Sequence, residues 1–162
     1  MRLLHYSAKP LDAVRTTAAD LRRDGSKPTG LWVSVEGDDD WKSWCEAENF
    51  SPDRLACVAE VTPTEPANLL LLSSAADVLR FHREYRCRPE FAGTGSLAAD
   101  PYWDNHAIRW SNVASSYDGI IIAPDQWSLR LDGECRWYYG WDCASGCIWN
   151  ADAISIKQLE NV

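Results

Sequence analysis

The residue types able to do chemistry in this chain fall into three short segments that lie far apart in sequence. The first is Leu4-His5-Tyr6-Ser7. The second is Thr29-Gly30-Leu31-Trp32-Val33-Ser34, followed by Trp41, Ser43 and Trp44. The third is Trp141-Asp142-Cys143-Ala144-Ser145-Gly146-Cys147-Ile148-Trp149-Asn150. Together they offer an imidazole, a carboxylate, several hydroxyls and flat indole faces. Each residue also has a structural use: His5 as a satisfied core histidine, Trp32 and Trp44 as plain core, Asp142 as a turn or cap. Nine tryptophans in 162 residues imply an unusually aromatic core, a stacking pocket for flat ligands, or both.

Several common chemistries lack their residues. Ser, His and Asp are present, but no G-x-S-x-G elbow exposes a serine nucleophile. A zinc deaminase needs H-x-E with P-C-x-x-C, and neither occurs. The closest approach to a zinc pair is Cys143-x3-Cys147, with no His nearby, so no metal is expected. Gly93-Thr94-Gly95-Ser96-Leu97-Ala98 matches G-x-G-x-x-G/A, yet it follows Arg88-Pro89-Glu90 and runs into Asp100-Pro101. Without a strand before it and a helix after it, the motif reads as a loop.

A net charge of −8 repels phosphate backbones and argues against unspecific nucleic-acid binding. The Arg-rich stretch from Arg80 to Arg88 reads as a solvated helix face, with His82 exposed on it. Met1-Arg2-Leu3-Leu4-His5-Tyr6 is too short and polar for a signal peptide, and no apolar run could span a bilayer. A cytoplasmic protein with six buried free thiols is the expectation.

Elements that could position these residues follow from periodicity. Residues 2–6 read as a first strand, and Leu11, Val14, Ala18 and Leu21 as a helix stopping at Asp24-Gly25. Leu31–Val35 is β-branched and aromatic enough for a strand. Asp38-Asp39-Asp40 suits a helix N-terminus, placing Trp41, Trp44, Cys45 and Glu48 on one face. Alternation at Leu55, Cys57, Ala59 and Val61 predicts a strand, as does Asn68–Leu72; Ser74 caps a helix reaching about Tyr85. Residues 86–109 form a long loop, His106 included, and Trp110–Ser116 a helical turn. Strands are expected at Asp118–Ile122, Arg136–Tyr139, Gly146–Asn150 and Ile154–Leu159. The pattern is α+β within one domain, 1–162.

Taken together, the three segments resemble the ADP-ribosyltransferase superfamily, particularly its branch with a histidine on the first strand. Leu4-His5-Tyr6 looks like that first strand. Gly30-Leu31-Trp32-Val33-Ser34, with Ser43-Trp44 about twelve residues on, is similar to the family's nicotinamide clamp. Tyr117-Asp118-Gly119-Ile120 and Asp142…Ile148-Trp149-Asn150 resemble its "YDG-apolar" strand and the acidic residue ahead of a later strand. The chain also resembles a group of bacterial and phage proteins sharing Gly30–Ser34 and Trp137–Asn150.

The resemblance implies a split mixed sheet, as two small packed sheets, with three or four flanking helices. It implies an NAD-dependent mono-ADP-ribosyltransferase that cleaves the nicotinamide–ribose bond. NAD is the substrate, no metal is needed, and the acceptor is a protein, nucleic acid or small molecule. His5, Tyr6, Gly30, Trp32, Ser34, Ser43 and Trp44 would bind NAD. Asp142 would act as the catalytic acid where most relatives carry Glu, with Glu134 and Asp125 as alternatives. Gln126, Trp127 and Arg130 would lie on the loop that meets the acceptor. A carboxylate near the ribose stabilises the positive charge that grows as nicotinamide leaves. Aromatic faces hold the flat cationic ring. The rival reading is a non-catalytic protein, either of the same fold or a Trp-rich binding or inhibitory module.

Overall fold

The computed structural model describes residues 1–18, 25–87 and 106–159. Seven strands form one mixed sheet. In chain order they are β1 (Leu3–Ser7), β2 (Leu31–Val35), β3 (Cys57–Pro63), β4 (Leu69–Leu72), β5 (Gly119–Ile122), β6 (Ser145–Ile148) and β7 (Ile154–Leu159). Across the sheet the order is β4-β5-β6-β2-β1-β3-β7. Only β4 and β5 run parallel, joined by a crossover through α2 (Ala75–Tyr85) and α3 (Trp110–Ala114). The remaining helix among the described residues, α1 (Trp41–Ala47), follows β2.

The α+β class is as expected, but the strands join in one hydrogen-bonded sheet rather than two separate packed ones. The join between its halves is narrow. Strand β1 pairs with β3 over its whole length, yet pairs with β2 only at Leu3↔Val35 and Leu4↔Ser34. Beyond Leu4 the two strands part.

Side-chain alternation gives the sheet two apolar faces. Leu72, Ile120 and Ile122 meet Val78 and Phe81 of α2 and Trp110 and Val113 of α3, with Trp137, Tyr138, Trp141 and Trp149 filling the same core. Leu3, Leu31, Val33, Val61, Ile121 and Ile148 cluster on the other face, covered by Leu11 and Val14. Four of the nine tryptophans therefore go to the core. Trp110, Trp137, Trp141 and Trp149 are each almost completely buried. Their edge-to-face and tilted contacts, such as Trp110–Trp137 at 5.8 Å and 81°, are worth about 0.5–1.5 kcal/mol each beyond burial.

Four expectations change. Residues 11–17 form no helix, because their polar groups bond outward: Thr17 N–H donates to the Trp149 carbonyl at 2.7 Å and its hydroxyl to the Thr29 carbonyl at 2.8 Å. Leu21 and Asp24 lie outside the described residues, as do Gly93–Ala98 and most of the expected loop; His106, within its span, is helical. Arg136–Tyr139 is a 3-10 turn rather than a strand, and Leu55, expected at the head of β3, lies instead in the 3-10 turn Pro52–Leu55 before it. Trp137 and Tyr138 are both buried in the one core, and consecutive residues of a strand would face opposite ways. His82 is fully buried on α2 instead of exposed. The six cysteines are buried thiols. No helix among the described residues is long and apolar enough to cross a membrane.

Candidate functional site

Where β1 and β2 part, a cleft of about 320 Å³ opens. That volume falls at the small end of ligand pockets, which span about 300–1,000 Å³. Leu4, His5 and Tyr6 line it from β1, and Trp32, Val33 and Ser34 from β2. Trp41 enters from α1, and Gly140 to Cys143 with Ser145 from the approach to β6. Lys27 and Arg54 complete the wall.

The parting has an identifiable cause. His5 Nδ1 donates to the Trp32 main-chain carbonyl at 2.7 Å, since a carbonyl oxygen can only accept. A side chain thus replaces the backbone ladder and props the strands apart. The Ser34 hydroxyl accepts from the Trp41 N–H at 2.8 Å, which ties the start of α1 to β2. Asp40 caps the same helix, its carboxylate accepting from the Ser43 N–H at 2.8 Å. Together these bonds set Trp41 against the cleft.

Its walls are aromatic and its rim is cationic. Trp32 and Trp141 meet at 4.9 Å between ring centroids, tilted by 59°. Trp41 is backed by Trp44 in a stacked pair at 5.0 Å, with Phe50 edge-on to both. Lys27 Nζ sits 5.1 Å over the Trp32 ring, and the Arg54 guanidinium 5.8 Å over Phe50. The Trp141 indole N–H is buried without a hydrogen-bond partner among the described residues. Such an orphan costs about 1–3 kcal/mol.

Among the described residues, Asp142 is the only acid that lines the cleft. Its Oδ1 lies 3.1 Å from Arg130 Nη2. Burial, reinforced by Asp40 and Glu36, pushes the Tyr6 hydroxyl up to about 12, so it remains a phenol near neutrality. Burial likewise pushes the Cys143 thiol up to about 12, which leaves it a poor nucleophile.

The structure therefore brings together His5, Tyr6, Trp32, Ser34 and Asp142 from all three segments. Gly30, Ser43 and Trp44 do not line the cleft. A Cβ at Gly30 would lie 2.5 Å from the Ile148 carbonyl oxygen, so this glycine serves the close approach of β2 to β6. Ser43 gives its N–H to the helix cap, and Trp44 supports Trp41 from behind.

The alternative acids lie elsewhere. Glu134 is held by Arg83 through contacts of 2.7 and 3.2 Å. Asp125 accepts from the Tyr138 hydroxyl at 2.6 Å, and its N–H donates to Asp39 at 2.8 Å. On the neighbouring loop, Gln126 donates through its N–H to the Tyr138 hydroxyl, while Trp127 is exposed. Lys27 and Arg54 line the cleft without having been singled out, and Trp41 and Trp141, named within the second and third segments, line it without having been assigned to binding. For Trp41 the capping Asp40 one residue earlier was a usable signal; Lys27 and Arg54 carried none.

Among the described residues, no group of His, Cys, Asp and Glu side chains could hold a metal ion. No family model, curated protein or solved structure matches the chain.

Proposed function

We propose that the chain is an NAD-dependent mono-ADP-ribosyltransferase of the cytoplasm, and that its parted sheet is the split sheet of that superfamily. One observation carries the reading: His5, Tyr6, Trp32, Ser34 and Asp142, drawn from segments up to 137 residues apart, meet in one cleft. Its size suits the reacting half of the dinucleotide, the nicotinamide and its ribose.

Trp32 and Trp41 offer faces for a flat cationic ring, each worth about 1–2 kcal/mol when water is excluded. Lys27 and Arg54 offer positive charge to the diphosphate. His5, fixed by its bond to Trp32, presents its other nitrogen toward a ribose hydroxyl. Asp142 accepts from the reacting ribose and opposes the positive charge that develops at C1′ as the nicotinamide bond breaks. The bond's electron pair leaves with nicotinamide. The acceptor's nucleophile then closes on C1′ and loses its proton.

Nicotinamide release from NAD by the purified protein tests this, beside Asp142→Ala and His5→Ala. Release that is lost in the Asp142 variant is the expected result. No release from the wild-type protein, with no rise in melting temperature at millimolar NAD, would overturn the reading. Saturation about 100-fold above Kd adds about 2.7 kcal/mol to a protein that binds.

A further inference from the structure

Asp142, the acid that lines the cleft among the described residues, is already engaged. Arg130 Nη2 lies 3.1 Å from Asp142 Oδ1, and the two side chains are 22% and 24% exposed. The guanidinium also lies over two rings, 5.2 Å from the centroid of Trp127 and 5.5 Å from that of Tyr139. Those rings are 71% and 54% exposed, and Leu131 beside them is 71% exposed. Lys27 and Arg54 are placed differently, over Trp32 and Phe50.

A cation in this position works against the acid's task. As nicotinamide leaves, positive charge grows on the ribose. A carboxylate already neutralised by a guanidinium stabilises that charge less, and the guanidinium repels it. The resting pair therefore restrains cleavage.

We propose that Arg130 is a latch on Asp142 that makes cleavage depend on an acceptor bearing an anionic oxygen group, a carboxylate or a phosphate. The proposal rests on the transferase reading above. An incoming anion takes the planar fork of the guanidinium in Asp142's place. The guanidinium lies beside two exposed rings, Trp127 and Tyr139, so an acceptor can approach it from that side. The base of the loop stays fixed, because Asp125 is tied to Tyr138 and Asp39 and Leu129 is buried. Only the Arg130 side chain has to move.

Asp142 then faces the ribose alone. The C1′–N bond breaks with its electron pair going to nicotinamide, the acceptor's nucleophile bonds to C1′, and its proton passes to solvent. Cleavage would be slow without an acceptor, which spares NAD from hydrolysis.

The experiment measures nicotinamide release at saturating NAD by wild type, Arg130→Gln and Arg130→Lys, with and without inorganic phosphate at constant ionic strength. Melting curves establish that each variant is folded. Arg130→Gln is expected to release nicotinamide about two- to fivefold faster than wild type without phosphate, the factor that releasing a partly exposed ion pair supplies. Arg130→Lys, which keeps the charge, should fall between them. Phosphate should accelerate the wild type and leave Arg130→Gln unchanged. A rate for folded Arg130→Gln at or below wild type overturns the latch while leaving the transferase reading intact. Acceleration by phosphate equal in both proteins overturns the anion exchange. No release from any of the three, with no melting shift on adding NAD, overturns the transferase reading and the latch with it.

Discussion

The imidazole of His5 bridges to the carbonyl oxygen of Trp32 at 2.7 Å, just past the last paired residue of the β1–β2 ladder. One hydrogen bond does two jobs there. It satisfies a carbonyl that lost its sheet partner, and it fixes the ring of a residue that lines the cleft. The same residue both opens the cleft and furnishes it.

Removing this brace should weaken the fold and the site together. A net hydrogen bond of this kind contributes about 1 kcal/mol. We expect His5→Ala to lower unfolding stability in urea by about that amount and to abolish the melting shift with NAD. An unchanged urea midpoint would show that the strands are parted by something else.

Asp142→Asn separates charge from shape. Its partner Arg130 is partly exposed, so the ion pair contributes little to stability, under about 1 kcal/mol. Nicotinamide release should nevertheless fall by about 10²–10³, the usual cost of losing one group aimed at a developing charge. Single-turnover assays beside a urea titration check both halves. Equal rates would remove Asp142 from the chemistry and direct attention to Asp125.

Strong local signals carried the fold's legibility. Alternation at Cys57, Ala59 and Val61 and the Ser74 cap of α2 were plain in sequence, and both appear, although Leu55, expected in the same strand, ends a 3-10 turn instead. Failure came where tertiary partners outbid local pattern. Leu11, Val14 and Ala18 have helical spacing, but Thr17 bonds to Trp149 and Thr29 instead. At Trp137-Tyr138, adjacent burial in one core excluded the strand that their propensities favour. For the cleft, residues within recognisable segments could be named in advance. Lys27 and Arg54 reach it from unremarkable turns, and the Arg130–Asp142 pair depends on how the loop after β5 folds back.

Gly30→Ala distinguishes a packing role from a binding one. Its Cβ would meet the Ile148 carbonyl oxygen at 2.5 Å and Cys147 Sγ at 2.8 Å, both within the sheet. Overpacking of this kind costs about 1–3 kcal/mol. The variant should therefore melt early, with NAD affinity preserved in whatever fraction stays folded. Loss of NAD binding at unchanged stability would return Gly30 to the cleft.

Thiol reactivity offers a check on burial. Burial pushes Cys135 and Cys143 up to about 12, so at pH 8 both stay thiols. Mass spectrometry after iodoacetamide at that pH should find both unmodified in the native protein and alkylated in urea. Rapid native labelling of Cys143 would mean that the cleft opens further than its walls suggest.

Asp125 gives the protein a pH dependence whose sign can be worked out. Burial, aided by Asp39, raises its carboxyl above the ordinary value of 3.8, while the Tyr138 hydroxyl and Arg130 oppose the shift. Between the unfolded value and the raised folded one, the folded state holds the proton more tightly. Stability therefore falls as pH rises through that window, and above it the penalty stays constant. Glu134 and Asp77 are shifted downward by Arg83 and Ser74 respectively, so their contribution runs the opposite way and is lost toward acid. The difference between wild type and Asp125→Asn isolates the one carboxyl, because Asn keeps an oxygen to accept from Tyr138. Melting temperatures from pH 3 to 8 should show the variant gaining on wild type as pH rises across the window, then running parallel. A difference that is flat throughout would mean that Asp125 ionises in the fold as it does in the unfolded chain.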